Sequence, residues 1–188
     1  MKLLLGSNSP RRKELLTQLG YTFSKVKIDC DEVFSSTMPV EEVAEYLAKK
    51  KSLAFTSLNE NEILITADTV VIADGQILNK PKDREEARAM LTMLNGKTHL
   101  VQTGLCIRSL EKGESLDTAT TSVTVKELTD EEILFYIDTY KPYDKAGAYG
   151  IQEWFGLACV SSITGSYYNV VGLPTELVHK RLKNAYDI

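Results

Sequence analysis

The run Ile63-Leu64-Ile65-Thr66-Ala67-Asp68-Thr69-Val70-Val71-Ile72-Ala73 constrains the fold more than any other part of the chain. It is almost continuously apolar and ends on Asp74-Gly75. That pattern predicts a buried strand returning through a two-residue hairpin into an antiparallel strand at Gln76–Leu78. One carboxylate, Asp68, lies in its middle. An ionised carboxylate there is costly unless cations, a metal or several donors meet it, so Asp68 belongs either to a structural hydrogen-bond network or to a functional site. Lys80-Pro81-Lys82 follows, with the proline holding Lys80 extended, and Asp83 with Glu86 predicts a capping box for a helix through Leu94. Taken alone, Lys82 is a solvated lysine.

The N-terminal stretch Leu3-Leu4-Leu5-Gly6-Ser7-Asn8-Ser9-Pro10-Arg11-Arg12 predicts a short strand, a small-residue turn and a helix with Ser9 as N-cap and Pro10 as first helical residue. The free N–H groups of that first turn face the loop, a geometry that suits an anion. Arg11 and Arg12 oppose the helix dipole at a cost of ~0.3–1 kcal/mol each unless an anion sits between them. The alternative is that both are solvated surface residues.

Strand and helix signals alternate over the 188 residues without a linker or repeat, which predicts one α/β domain over residues 1–188. A strand across Tyr21–Ile28 leads into the acidic stretch Asp29-Cys30-Asp31-Glu32. Pro39–Leu58 follows as a helix whose apolar stripe comprises Val40, Val43, Ala44, Leu47, Ala48, Ala54 and Phe55. Lys51 falls on that stripe and points inward, unless it snorkels to water; Lys49 and Lys50 point outward. Strands are expected across His99–Ser109 and Leu116–Lys126, and Thr129 with Glu132 caps a helix to about Tyr140. His99 is read as a satisfied structural histidine. The loop Lys141–Gln152, rich in glycine and aromatic residues, is of the ligand-holding kind, or else an ordinary connection.

The composition narrows the function classes. Three cysteines at wide spacing give neither a disulfide framework nor a zinc site and point to a cytoplasmic protein. No apolar run matches a signal peptide or a membrane span. A net charge of −4 argues against a nucleic-acid polymer as partner but permits one small anion held locally.

Taken in order, the motifs resemble the Maf family, named for septum formation and related in fold to the house-cleaning inosine triphosphate pyrophosphatases. The resemblance rests on Ser7-x-Ser9-Pro10-Arg11-Arg12-Lys13-Glu14-Leu15-Leu16, Leu47-Ala48-x-x-Lys51, Ala67-Asp68-Thr69-Val70-Val71 and Lys80-Pro81-Lys82-Asp83. It continues through Gly96-Lys97-x-His99, Thr103-Gly104, Asp144–Gln152 and Gly165–Pro174. It implies an α/β fold with a mixed, elongated sheet forked into two lobes around a cleft. It also implies an often homodimeric enzyme that uses Mg²⁺, Mn²⁺ or a similar divalent cation to hydrolyse nucleoside triphosphates to monophosphate and pyrophosphate.

Carried onto this chain, the resemblance makes Asp68 the catalytic proton acceptor, with Glu32 and Asp68 as metal ligands. Ser7, Ser9, Arg12, Lys51, Lys80 and Lys82 become the phosphate-binding residues. Arg12, Thr69 and Gln152 become the specificity positions, in the combination of the dTTP and UTP branch. Gln152 offers both donor and acceptor to a pyrimidine edge. The chain departs from the family pattern at Glu153-Trp154-Phe155, where glycine usually follows the glutamine. Two other functions stay open at this point: a regulatory nucleotide-binding protein with little turnover, and a pyrophosphatase for deaminated purine triphosphates.

Overall fold

The computed structural model describes every residue, Met1–Ile188. The chain divides into two compact units, one formed by Met1–Thr69, Thr103–Ala119 and Gly172–Ile188, the other by Val70–Gln102 and Thr120–Val171.

In the first unit, β1 (Lys2–Leu5) pairs in parallel with β2 (Phe23–Lys25) and with the start of β3 (Glu62–Ala73). Helix α1 (Pro10–Gln18) makes the crossover from β1 to β2 and buries Leu15 and Leu16. The strand expected across Tyr21–Ile28 is shorter because β1 offers it only Lys2–Leu5, and the last bond is Val26 N–H to the Leu5 carbonyl at 3.0 Å. Ile63, Leu64 and Ile65 are 0% exposed, and each such side chain contributes ~1.5–3 kcal/mol of burial, which fixes the strand that carries Asp68.

A 3₁₀ turn, Val40–Glu42, leads into α2 (Val43–Ala54). This helix stops short of the expected Leu58, and Ala54, placed by periodicity on the buried stripe, is exposed. The reason lies in Arg108 on β5 (Thr98–Ser109), whose guanidinium donates to the Ser52 and Phe55 carbonyls at 2.5 and 2.7 Å. The Ser52 carbonyl, which also accepts the Phe55 N–H at 3.3 Å, and the Phe55 carbonyl beyond the helix end are thereby held by a charged donor, and the chain turns away. Closer to the helix start, α2 lies hard against the sheet. Thr66 Oγ1 donates to the Ala48 carbonyl at 2.7 Å, and a Cβ on Gly104 would stand 2.2 Å from the Ala44 carbonyl oxygen. Helix α7 (Thr175–Tyr186) buries Val178 and Leu182, and its Arg181 forms a bidentate pair with Asp117 on β6 (Gly113–Val125).

In the second unit, β3 turns at Asp74 (φ 48°) and Gly75 (φ 74°) into β4 (Gln76–Leu78), the expected hairpin. Helix α3 (Arg84–Leu94) is capped by Asp83, which accepts the Glu86 N–H at 2.8 Å. The returning half of the expected capping box is displaced: Glu86 Oε2 takes the Lys82 N–H at 2.7 Å and ties down the segment after Pro81. Helix α4 (Asp130–Tyr140) has the full box between Thr129 and Glu132. Short helix α5 (Trp154–Ala158), strand β7 (Val160–Thr164) antiparallel to β6, and helix α6 (Tyr167–Val171) complete the unit.

The strands form a seven-stranded mixed sheet in the order β2-β1-β3-β5-β6-β7, with β4 on β3. The α/β class expected from the alternation of signals is therefore the one observed, and both internal strands lie within three residues of their expected bounds. All three cysteines are free thiols, and no helix is long and apolar enough to cross a membrane.

Candidate active site

The first unit gathers seven of the residues singled out above: Ser7, Ser9, Arg12, Glu32, Lys51, Asp68 and Thr69. Ser9 caps α1 as expected, accepting the Arg12 N–H at 3.4 Å, and its own N–H donates to Ser7 Oγ at 3.2 Å. The turn is thus held by its own hydroxyls, with Pro10 at the first helical position. Ser7 and Ser9, on either side of Asn8, both turn their hydroxyls to backbone N–H groups of this turn.

Arg12 departs from the picture of a free cation waiting for phosphate. Its Nε donates to the Gly172 carbonyl at 2.7 Å, and Nη1 to the Ala67 carbonyl at 2.8 Å and Ser7 Oγ at 3.4 Å. Nη2 donates to Thr69 Oγ1 at 3.1 Å, and Thr69 Oγ1 lies 2.9 Å from Thr103 Oγ1. Of the five N–H groups on a guanidinium, one on Nη2 is left for a ligand. Arg12 is a clamp that joins α1, the middle of β3 and the turn before α7. Burial draws its guanidinium below the usual arginine range, with Asp68 opposing that shift.

Asp68 is 7% exposed, as its place in the strand predicts. Its Oδ1 receives the Lys51 ammonium, and the same ammonium lies 2.8 Å from Glu32 Oε1. The inward direction of Lys51 expected from the α2 stripe is therefore correct: its side chain is 14% exposed, against 41% for Lys49 and 29% for Lys50. The three consecutive lysines serve three ends, with Lys49 pairing with Glu114 at 2.5 Å and Lys50 with Asp31 and the Val33 carbonyl. Lys50 and Lys51 together fasten the acidic segment Asp31–Val33 to α2, which brings Glu32 to the Asp68 side of the helix. The chain forms no group of three or more His, Cys, Asp and Glu side chains suited to a metal. Glu32 and Asp68 are two carboxylates converging on one cation.

Lys80, Lys82 and Gln152 belong to the second unit. Lys80 and Lys82 are exposed on either side of buried Pro81, and Gln152 is exposed after buried Ile151. The glycine-rich loop is ordered around a 3₁₀ turn at Ala146–Ala148, and Gly147 N–H donates to the carbonyl of Asn79 at 3.2 Å, next to Lys80. His99 is 2% exposed and its Nε2 lies 2.7 Å from the Tyr149 hydroxyl, while its buried Nδ1 has no hydrogen-bond partner, so the satisfied histidine expected there is met at one ring nitrogen only; burial holds its pKa down to about 4. Asn169 is buried and donates to the Val101 carbonyl at 3.0 Å and Thr121 Oγ1 at 2.9 Å.

The sequence did not reveal the Arg12 contacts to Ala67 and Gly172, the Thr69–Thr103 pair, or Tyr136 and Glu153 beneath the loop. These contacts join positions distant in the chain, and no local periodicity marks them; the one signal was Glu153 itself, which stands where the family pattern has glycine.

A capped helix N-terminus after a parallel strand, and a buried carboxylate that shares a lysine with a second carboxylate, mark the chain as a mixed α/β protein with a charged polar site in its first unit. Residues 2–185 match the family described as "Maf-like protein", and the chain belongs to the Maf family. It is 48% identical to a "dTTP/UTP pyrophosphatase" of Porphyromonas gingivalis, over 97% of this chain and 94% of that protein. Proteins of the same name from Phocaeicola vulgatus (47% identical, covering 97% and 95%) and Flavobacterium psychrophilum (46%, covering 97% and 94%) match equally broadly. Among solved structures, a "Nucleoside-triphosphatase / dITP/XTP pyrophosphatase" of Mycobacterium abscessus is a partial likeness, with TM-score 0.44 and 15% identity over 66% of this chain and 74% of that one.

Proposed function

We propose that this chain is a cytoplasmic nucleoside triphosphate pyrophosphatase that hydrolyses dTTP and UTP, and related modified pyrimidine triphosphates, to the monophosphate and pyrophosphate, clearing nucleotide pools. The observation that carries this reading is the meeting of Lys51 from α2 with Glu32 and with Asp68 on the buried strand β3, in a chain nearly half identical over its length to proteins named for that reaction.

Asp68 accepts the proton of the water that attacks the α-phosphorus. A rigid strand at 7% exposure holds that carboxylate in place, and a base so positioned supplies about 10²–10⁴ of rate. Lys51 balances its charge at rest and lies within reach of the charge that develops on the phosphoryl oxygens. Ser7, Ser9 and the first turn of α1 cradle phosphate through hydroxyl and backbone N–H donors. Lys80 and Lys82 take further phosphate oxygens, on the strength of their motif. Arg12 contributes its one remaining N–H and, by fixing Thr69 Oγ1, sets a specificity position. Gln152 pairs with the pyrimidine edge, and a base that leaves its amide unpaired is rejected.

Glu32 and Asp68 suit a divalent cation. Both turn a carboxylate oxygen to the Lys51 ammonium, so the two carboxylates lie close together, and one or two carboxylates are what a magnesium-type ion takes from a protein, with water and substrate oxygens completing its shell. Held by Glu32 and Asp68, such an ion would supply positive charge to the transferring phosphoryl group.

Pyrophosphate release from dTTP, UTP, CTP, GTP, 7-methyl-GTP and ITP, with Mg²⁺ or Mn²⁺ and with a chelator, tests the reading. The expected result is metal-dependent release chiefly from dTTP and UTP. Preference for ITP or 7-methyl-GTP would overturn the substrate assignment, and binding without release would leave a nucleotide-binding regulator.

A further inference from the structure

Beneath the glycine-rich loop of the second unit lies a network that the chemistry above does not use. Tyr136, on α4 and 0% exposed, donates its hydroxyl to Glu153 Oε2 at 2.5 Å and accepts the Gly150 N–H at 2.9 Å. Glu153 Oε1 lies 3.0 Å from Lys145 Nζ, and Lys145 reaches Asp144 Oδ1 at 2.7 Å. The Lys145 and Glu153 side chains are only 12% and 24% exposed, which shields the pair from the screening that weakens surface ion pairs. A Cβ on Gly150 would stand 2.8 Å from Glu153 Cδ and 3.0 Å from Lys145 Cε, so a side chain there would push the ends of Glu153 and Lys145 out of this arrangement.

The two backbone positions fixed by this network, Gly150 and Glu153, flank Ile151 and Gln152. Ile151 is buried and Gln152 exposed, so the segment is pinned at both ends and anchored by one side chain while it offers the other. Burial and the Glu153 carboxylate push the Tyr136 phenol above its usual range, keeping it a donor at any physiological pH. An amide that must meet one edge of a base within a few tenths of an ångström needs support of this kind.

We infer that Tyr136, Glu153 and Lys145 form a brace that sets the position of Gln152, and that the chain's choice of base depends on the brace as well as on Gln152 itself. The inference rests on the base-contacting role proposed for Gln152. The three are positioning residues, and their effect falls on selectivity.

The test compares Tyr136→Phe, Glu153→Gln, Gln152→Ala and the Tyr136→Phe/Gln152→Ala double variant. kcat and KM are measured on dTTP and GTP, and amide exchange is followed across residues 148–153 without nucleotide. The brace predicts faster exchange at Gly150 in Tyr136→Phe and a fall of about tenfold or more in the dTTP-to-GTP ratio of kcat/KM, mainly through KM for dTTP. Glu153→Gln keeps an acceptor for Tyr136, so it falls less, and the double variant is no less selective than Gln152→Ala. An unchanged ratio in Tyr136→Phe, where Gln152→Ala lowers it, overturns the brace. An unchanged ratio in Gln152→Ala overturns the base-contacting role itself and the brace's part in selectivity with it. Should Tyr136→Phe fail to fold, Glu153→Ala is read by the same two outcomes.

Discussion

Lys51 on α2 and Asp68 on β3 form an ion pair in which the two side chains are 14% and 10% exposed, and Glu32 shares the same ammonium. The pair is made possible by α2 lying hard on the sheet, where Thr66 bonds to Ala48 and glycine at 104 leaves room for the Ala44 carbonyl. The packing of the crossover thus places the charge chemistry.

Lys51→Met leaves the Asp68 carboxylate in its strand without that cation. Breaking a buried pair from one side costs about 3 kcal/mol, and urea unfolding of the nucleotide-free protein should show a loss of that order. Adding Asp68→Asn to Lys51→Met should recover most of it, since the uncompensated charge is then gone. Equal stability of Lys51→Met and the wild type would remove the pair from the account.

Glu32 is accessible, its side chain 46% exposed, so Glu32→Gln should leave the unfolding midpoint within about 0.5 kcal/mol of wild type. As one of two carboxylates proposed for the divalent ion, it should nonetheless weaken Mn²⁺ binding on the order of tenfold or more, followed by the free-Mn²⁺ electron paramagnetic resonance signal. Unaltered Mn²⁺ affinity would take Glu32 out of the metal site.

His99 gives the fold a pH dependence. Its pKa is held down to about 4 by burial, against 6.5 for the ordinary imidazole. Between these values the unfolded chain carries a proton that the folded chain refuses, so the unfolded state binds more protons and stability rises with pH. The contribution is complete above about pH 6.5 and falls by about 3 kcal/mol as pH drops to about 4. Unfolding free energies from pH 4 to 7 should show this slope in the wild type and a shallower one in His99→Gln; identical slopes would mean that carboxylates alone set the acid limit.

Much of this was legible in the sequence because it is local. The Ser9-Pro10 helix start, the Asp74-Gly75 hairpin, the buried Asp68 and the inward turn of Lys51 each follow from a few neighbouring residues, and the structure has all four. The end of α2 was not legible, because the contacts that stop it come from Arg108, more than fifty positions away. The short β2 likewise depends on the length of its partner β1. Arg12 was placed correctly on its helix, yet its contacts with Gly172 and Thr69 are made across 160 and 57 positions, beyond the reach of any spacing rule.

The most direct test of the central claim is turnover of dTTP by wild type and Asp68→Asn side by side, with Mg²⁺ and with a chelator, scoring dTMP and pyrophosphate and measuring dTTP binding separately. Equimolar, metal-dependent dTMP and pyrophosphate are expected from the wild type. Turnover lower by about a hundredfold or more is expected in Asp68→Asn, with fold and dTTP binding largely kept. Turnover by Asp68→Asn at the wild-type rate would contradict the claim.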